Sequence, residues 1–509
     1  MAINEGATLA NARWLAENLK SVGYNYFHID EGYQYARGEY ATPNARLFPH
    51  GMRAIGDEVR HLGLTFGIWT APFEVTNRAW IYENHKDWLV HTADGNPIPI
   101  GVAYGDTLYA LDATHPGAQD YMRQTYTTLT REWGVRYIKL DFMDTTSIEG
   151  YRYKPDTSAL EAQRVGLEVI RKAVGEDVLL DKDGSPMLPP VGLVDTGRIS
   201  ADTAHSFQTT KAVASGVAAR FYMNRNYFLN DPDAFNVCAE VPVVRGRQGP
   251  ARGGLSFSEA QASIVLSAVS GGMYEIGDDL PILGAEKDRL DLVKNQDLLN
   301  MAKISRAATP VDLLSYDTED GEPSIFFLRE DPRQSILVAF NWTEQPRSHA
   351  LKLVDLELPA NHTFQASDVL NDGEAVAVNA GTVRLDNMAR HSVRVIKLID
   401  PATPAAAPTI TAQVPSEARV SELLPFSAQA QEAGVPALSY HWDFGDGTTA
   451  DGPQVSHTYT RDATFTVQLT ADGLDGIGAH QSFTVKVTGT LAAAGDVLQN
   501  RRYTEPAGH

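Results

Sequence analysis

Apolar and polar positions follow two different rhythms along this chain. Up to residue 305, short apolar runs alternate with stretches whose apolar residues recur three or four positions apart. The runs are "YNYFHID" (24–30), "LTFGIWT" (64–70), "RYIKLD" (136–141), "DVLLDK" (177–182), "VDTGRIS" (194–200), "ARFYMN" (219–224) and "GMYEIG" (272–277). Short β-rich runs of this kind predict buried strands, and the intervening periodicity predicts helices. Leu9, Ala12, Ala16 and Leu19 mark one face of an opening helix. Segment 116–133 begins with Pro116 and stops at Gly134, the expected asymmetry of helix ends. Segment 257–270 follows the Ser-x-x-Glu capping box of "SFSE" and ends at Gly271-Gly272. Strand–helix alternation without hairpin signals predicts an α/β domain with a parallel sheet under helices. Closing a (β/α)₈ TIM-type barrel takes eight strands. Seven are visible and the chain opens on a helix, so the expectation is a barrel whose first strand is missing. An open doubly wound sheet is the alternative.

From 311 to 398 the rhythm changes to period 2, as in "SILVAFNW" (335–342) and "HSVRVIKL" (391–398), with "DTEDGEP" and "NDGE" as turns. This predicts an antiparallel β-sandwich over 306–399. "DPATPAAAPT" places an extended linker at 400–409. A second β module follows at 410–489, and 490–509 reads as a flexible tail.

Composition narrows the class. The 509 residues carry a net charge of −21, which argues against a nucleic-acid or anionic-membrane partner and suits a neutral ligand. No apolar run approaches the ~20 residues that a membrane span needs. Cys238 is the single cysteine, so there is no internal disulfide and no cysteine-type zinc cluster. "MAINEGATLA" has neither the basic start nor the apolar stretch of a signal peptide.

In a parallel barrel, working residues sit at the C-terminal strand ends. Those ends present Asp30 and Glu31, then Trp69 with Glu74 further out, then Lys139 and Asp141. Asp183, Arg198 and Asp202 follow, with Asp231 and Asp233 in a loop. In "VRYIKLDFMD", Lys139 and Asp141 lie two apart and so share a face of their strand. Charge on a buried strand is costly unless paired or used. Carboxylates, cations and aromatics converge without a phosphate-cradling glycine loop, and histidines are not grouped at metal-ligand spacing. Such a set fits sugar hydroxyls, and a pair of carboxylates is the machinery of glycosidic cleavage.

Here the sequence resembles glycoside hydrolase clan D, the α-galactosidases of families 36 and 27. "HIDEGYQ", "FGIWTAPF", "YIKLDF", "GRISADT", "NDPDAF" and "LSFSEAQASIVLSAVSGGMYEIGDDL" match that barrel's motifs in order across residues 5–305. The resemblance implies a retaining, exo-acting α-galactosidase with Asp141 as nucleophile and Asp202 as acid/base, its pKa raised by burial or by Asp141. It further implies Lys139 on sugar hydroxyls and beside Asp141, and Arg198 orienting Asp202 or the 2-hydroxyl. Asp30 and Glu31 would bind the 4- and 6-hydroxyls, Trp69 would line the ring, and Lys182 and Asp183 would enter the region of the 2-position. No cofactor and no metal are implied. Glu31 departs from the usual Asp and adds a methylene near the 6-hydroxyl. "DKDGSP" departs from the usual Gly-Cys-Gly. The expected ligand is an α-galactoside oligosaccharide or polysaccharide. α-N-acetylgalactosaminidase, β-L-arabinopyranosidase, a galactosyl-transferring synthase, a non-catalytic sugar-binding barrel and an inactive fragment remain as alternatives.

"WDFGDGT" with "HTYT" resembles a PKD domain, an Ig-like β-sandwich. Trp442 and Tyr459 are read as core, and Asp443, Gly445, Asp446 and Gly447 as a turn. The resemblance implies contact with polysaccharide or a cell surface and an extracytoplasmic location, secreted or periplasmic.

Overall fold

The computed structural model describes residues 3–184, 186–240 and 254–489, so the tail at 490–509 lies outside the described residues. The sheet is parallel and its strands follow chain order. They are β1 (Tyr26–Ile29), β2 (Thr65–Thr70), β3 (Tyr137–Leu140), β4 (Leu179–Lys182), β5 (Thr196–Arg198) and β6 (Leu229–Asp231). Helices Gly51–His61, Pro116–Thr127, Ala159–Val174 and Phe207–Ala219 connect them, and Phe257–Val269 follows β6. Both predicted helix signals operate: Pro116 opens its helix, and Ser256 and Glu259 form a complete capping box. The link between β4 and β5 has no helix among its described residues.

Two expected strands differ. "ARFYMN" is the end of helix Phe207–Ala219 and a 3₁₀ turn, Phe221–Met223. The strand is β6, inside the stretch read as a loop. Its Asn230 and Asp231 are buried polar residues, which a search for apolar runs passes over. "GMYEIG" joins no ladder and instead runs beside the exit of β6. There Met273 N–H donates to the Asn230 carbonyl at 2.8 Å, and Phe235 and Ile276 form a parallel bridge. Its side chains reach β1: His28 Nδ1 lies 3.1 Å from Glu275 Oε1, and Tyr24 stacks on Tyr274.

The predicted sandwich is present as antiparallel sheets. One holds Ile325–Arg329, Gln334–Phe340, Val393–Ile399 and Gln365–Asp368; the other holds Arg347–Lys352 and Thr382–Met388. Contact density divides the chain into two compact units. The first comprises residues up to 328 with 336–361 and 365–398; the second comprises 329–335, 362–364 and the chain from 399 on. Within the first, Phe207 packs on Trp342 and His391, so barrel and sandwich share one core. The second contains two further sheets, antiparallel except where Glu417–Arg419 pairs in parallel with Gly478–Thr488, and Trp442 and Tyr459 are fully buried. Gly445 and Gly447 take positive φ in the turn at Asp443–Gly447, where L side chains would be strained.

Candidate active site

The strand ends gather the charges. Asp141 follows β3, and its N–H donates to the Thr70 carbonyl at 2.8 Å, continuing the ladder one residue past the strand. Asp183 follows β4 and is pinned the same way to the Leu140 carbonyl at 2.7 Å. Both carboxylates are therefore held by sheet hydrogen bonds rather than by loose loops.

Each Asp141 oxygen has a fixed donor. Trp69 Nε1 donates to Oδ2 at 2.8 Å and the Phe142 N–H to Oδ1 at 2.6 Å. Phe142 takes φ 53°, a left-handed conformation unusual for an aromatic residue, and so turns its N–H back onto the preceding carboxylate. Strain of this kind costs ~1–3 kcal/mol and persists where surrounding structure enforces it. Burial, then the neighbouring Asp183 charge, pushes the Asp141 carboxyl up to about 7, against the opposing pull of Lys139.

Lys139 Nζ lies 3.1 Å from Asp30, 3.5 Å from Asp183 and 3.8 Å from Asp141. Burial works against its charge, but Asp30, Asp141 and Asp183 outweigh it and raise its pKa. Burial likewise opposes ionisation of Asp30, yet Lys139, His28 and the Glu31 N–H bring that carboxyl below its ordinary value.

Arg198 is the second hub and is only 3% exposed. Its nitrogens reach Asp202 at 2.8 Å, Asp233 at 2.9 Å, Asp231 at 3.0 Å and Asp183 at 3.1 Å. Asp183 thus joins the two hubs, giving a chain Asp141–Lys139–Asp183–Arg198–Asp202. Asp233, with φ 73°, also accepts from the Thr203 N–H; burial raises its carboxyl to about 6.

Several expected residues stand differently. Trp69 is completely buried, so it has no open ring face for a sugar; its contribution here is the N–H that holds Asp141. Lys182 is also fully buried, donates to the Gly184 carbonyl at 2.6 Å and packs over the Phe228 ring. Strand alternation turns it away from Asp181 and Asp183, so of the two only Asp183 joins the charge network. Asp202 has 86% of its side chain exposed, so the burial expected around it is absent in the free protein. Glu31 is clasped by Arg37 through both oxygens, at 2.7 and 2.8 Å, and the Tyr104 hydroxyl reaches it at 3.2 Å.

Arg37 was not visible as a site residue in sequence. It also pairs with the buried Glu74, whose other oxygen accepts from Thr145, and it lies 4.1 Å from the Phe142 ring centre. A lone arginine in "QYARGEY" carries no pattern signal. Asp181 was missed too. It accepts from Thr196 and Tyr137 inside the sheet, where burial and the Asp231 charge raise its carboxyl well above the ordinary value.

Residues 8–172 match the Melibiase family and residues 405–488 match the PKD domain. The Escherichia coli α-galactosidase is 28% identical over 134 residues, which cover 25% of this chain and 18% of that protein. The chain therefore spans about a fifth of the length of such relatives. Among solved structures, a β-L-arabinopyranosidase of family 27 from Geobacillus stearothermophilus superposes with a TM-score of 0.62 at 17% identity. That match covers 80% of this chain and 94% of the other. An α-galactosidase from Saccharomyces cerevisiae gives 0.52 at 15% identity, covering 78% and 94%. The fold is the (β/α) barrel of these enzymes, followed by a β-sandwich and a PKD domain.

Proposed function

We propose that this chain is a retaining glycoside hydrolase that removes terminal α-galactosyl residues. The observation that carries the reading is Asp141: a carboxylate fixed at both oxygens on a strand end, beside a lysine, within the stretch that matches Melibiase. A nucleophile must meet the anomeric carbon in one orientation, and two fixed donors select that orientation.

In the first displacement Asp141 attacks the anomeric carbon while Asp202 protonates the departing oxygen. In the second, Asp202 takes a proton from water, which attacks the same carbon and releases Asp141. The exposed position of Asp202 gives it water and leaving group alike, and the Arg198 contact at 2.8 Å sets its direction. Asp30, Lys139 and Asp183 hold ring hydroxyls, the role that a linked set of charged donors and acceptors suits.

A second reading, a β-L-arabinopyranosidase, is favoured by Glu31. Arg37 and Tyr104 hold that longer carboxylate in place, so it cannot swing aside for a 6-hydroxymethyl group, which arabinopyranose lacks. The PKD domain supports an extracytoplasmic location and attachment to polysaccharide or a cell surface.

The test is hydrolysis of aryl α-galactoside, β-L-arabinopyranoside, α-N-acetylgalactosaminide and α-glucoside by the native chain and by Asp141→Gly. We expect activity on the first or second, lost in the variant and restored by azide as a glycosyl azide of inverted anomeric configuration. A folded native protein that cleaves none of the four, or a variant as active as the native chain, overturns the reading.

A further inference from the structure

Away from the strand ends, three carboxylates meet within the second compact unit. Asp331 lies in the hairpin between Ile325–Arg329 and Gln334–Phe340, Glu432 ends strand Leu423–Glu432, and Asp475 lies in the turn before Gly478–Thr488. Each offers an oxygen, and these oxygens all lie within 4.8 Å of one another. Asp331 spends Oδ1 on the hairpin, accepting from the N–H groups of Arg333 and Gln334. Asp475 spends Oδ1 on the Arg333 guanidinium. Their Oδ2 atoms are buried and have no hydrogen-bond partner in the protein. Asp331 is only 3% exposed and the Asp475 side chain 5%.

Two unsatisfied carboxylate oxygens buried beside a third carboxylate are costly unless something positive joins them. Arg333 offsets one of the three charges and leaves two. We propose that Asp331, Glu432 and Asp475 bind a calcium ion, which makes this end of the PKD-containing unit cation-dependent. A divalent cation balances the remaining charge. Two oxygens at ~2.4 Å from a shared calcium stand at most ~4.8 Å apart, which matches the cluster. The donors are all hard oxygens, and no histidine, cysteine or methionine belongs to the group, so zinc and copper are disfavoured. Magnesium demands a near-ideal octahedron, which carboxylates from three separate segments do not impose, whereas calcium tolerates irregular shells completed by water. The ion would tie the 330–334 hairpin tip to the 473–477 turn and to the end of strand Leu423–Glu432, segments whose mutual repulsion otherwise strains the contact.

The experiment uses the full chain stripped with a chelator and titrated with calcium chloride by calorimetry, with magnesium chloride in parallel. We expect one calcium per chain at this site, with a dissociation constant of ~10⁻⁶–10⁻³ M. Calcium should also raise the unfolding temperature of the unit containing Trp442, followed by its fluorescence. Asp331→Asn keeps the Oδ1 acceptor that the hairpin needs, and Glu432→Gln lies at a partly exposed strand end. Each should weaken calcium binding at least tenfold while far-UV circular dichroism stays unchanged. Three results overturn the proposal: no binding by the native chain, native calcium affinity retained by both variants, or magnesium binding as tightly as calcium. If the cluster is neutralised by protons instead, the first of these is what calorimetry records at neutral pH.

Discussion

Asp141 shows how much a single residue owes to its neighbours. Its carboxyl titrates at about 7 because burial and Asp183 disfavour the charge, while Lys139 and the Trp69 N–H favour it. A nucleophile must be ionised, so kcat/KM should rise with pH through about 7. Replacing Asp183 with Asn removes a repulsive charge and should move that limb to lower pH. Replacing Lys139 with Met removes an attractive one and should move it higher. Residual activity of both variants across pH 4–9 checks the two directions. The same shift bears on stability. The folded carboxyl lies above the ordinary 3.8, so its stabilising contribution is complete below 3.8 and lost as pH rises through about 7. Asp141→Asn should therefore melt higher than the native chain at pH 8, and the gain should shrink at pH 5. Thermal melts at the two values test it. Arg37 is held by Glu31 and the buried Glu74, so Arg37→Met leaves two carboxylates without their partner. The expected loss is ~3–5 kcal/mol, measured by denaturant titration.

At the scale of elements, β1 to β5 were visible because apolar runs of strand length stood between helical periodicities. The sixth was not. β6 is three residues long, and two of them are polar and buried to hold Arg198 and the neighbouring backbone. Apolar patterning cannot find a strand whose burial is justified by partners elsewhere in the chain. The seventh run, 272–277, was visible as apolar, yet it lies beside the β6 exit without a ladder, because pairing depends on what faces it. Its approach is close: a Cβ on Gly272 would sit 1.8 Å from the Asn230 carbonyl oxygen. Gly272→Ala should push this run away from β6 and destabilise the fold by ~1–3 kcal/mol, with a lowered denaturant midpoint as the readout.

At the scale of the molecule, the two compact units have separate cores. Trp442, Phe426, Phe444, Tyr459 and Phe465 pack together in the second. Trp442→Ala should cost ~3–5 kcal/mol there and shift an unfolding transition of that unit, while glycoside hydrolysis persists. Activity lost together with that transition would show that the units unfold as one. No helix among the described residues is long and apolar enough to cross a membrane.

Sequence by itself determined the helix ends at Pro116 and Ser256 and the strand-end positions of Asp141 and Asp183. These depend on spacings of two to four residues, which local geometry converts directly into direction. It did not determine which charges pair. Lys139 meets Asp30 across 109 positions and Arg37 meets Glu74 across 37. Asp331 meets Asp475 only once the hairpin and the turn are folded. Nor did it show that Trp69 is sealed behind the site or that Phe142 turns left-handed to hold Asp141. Only tertiary structure decided those, because the free energy of a buried charge or a strained φ depends on the groups folding brings beside it.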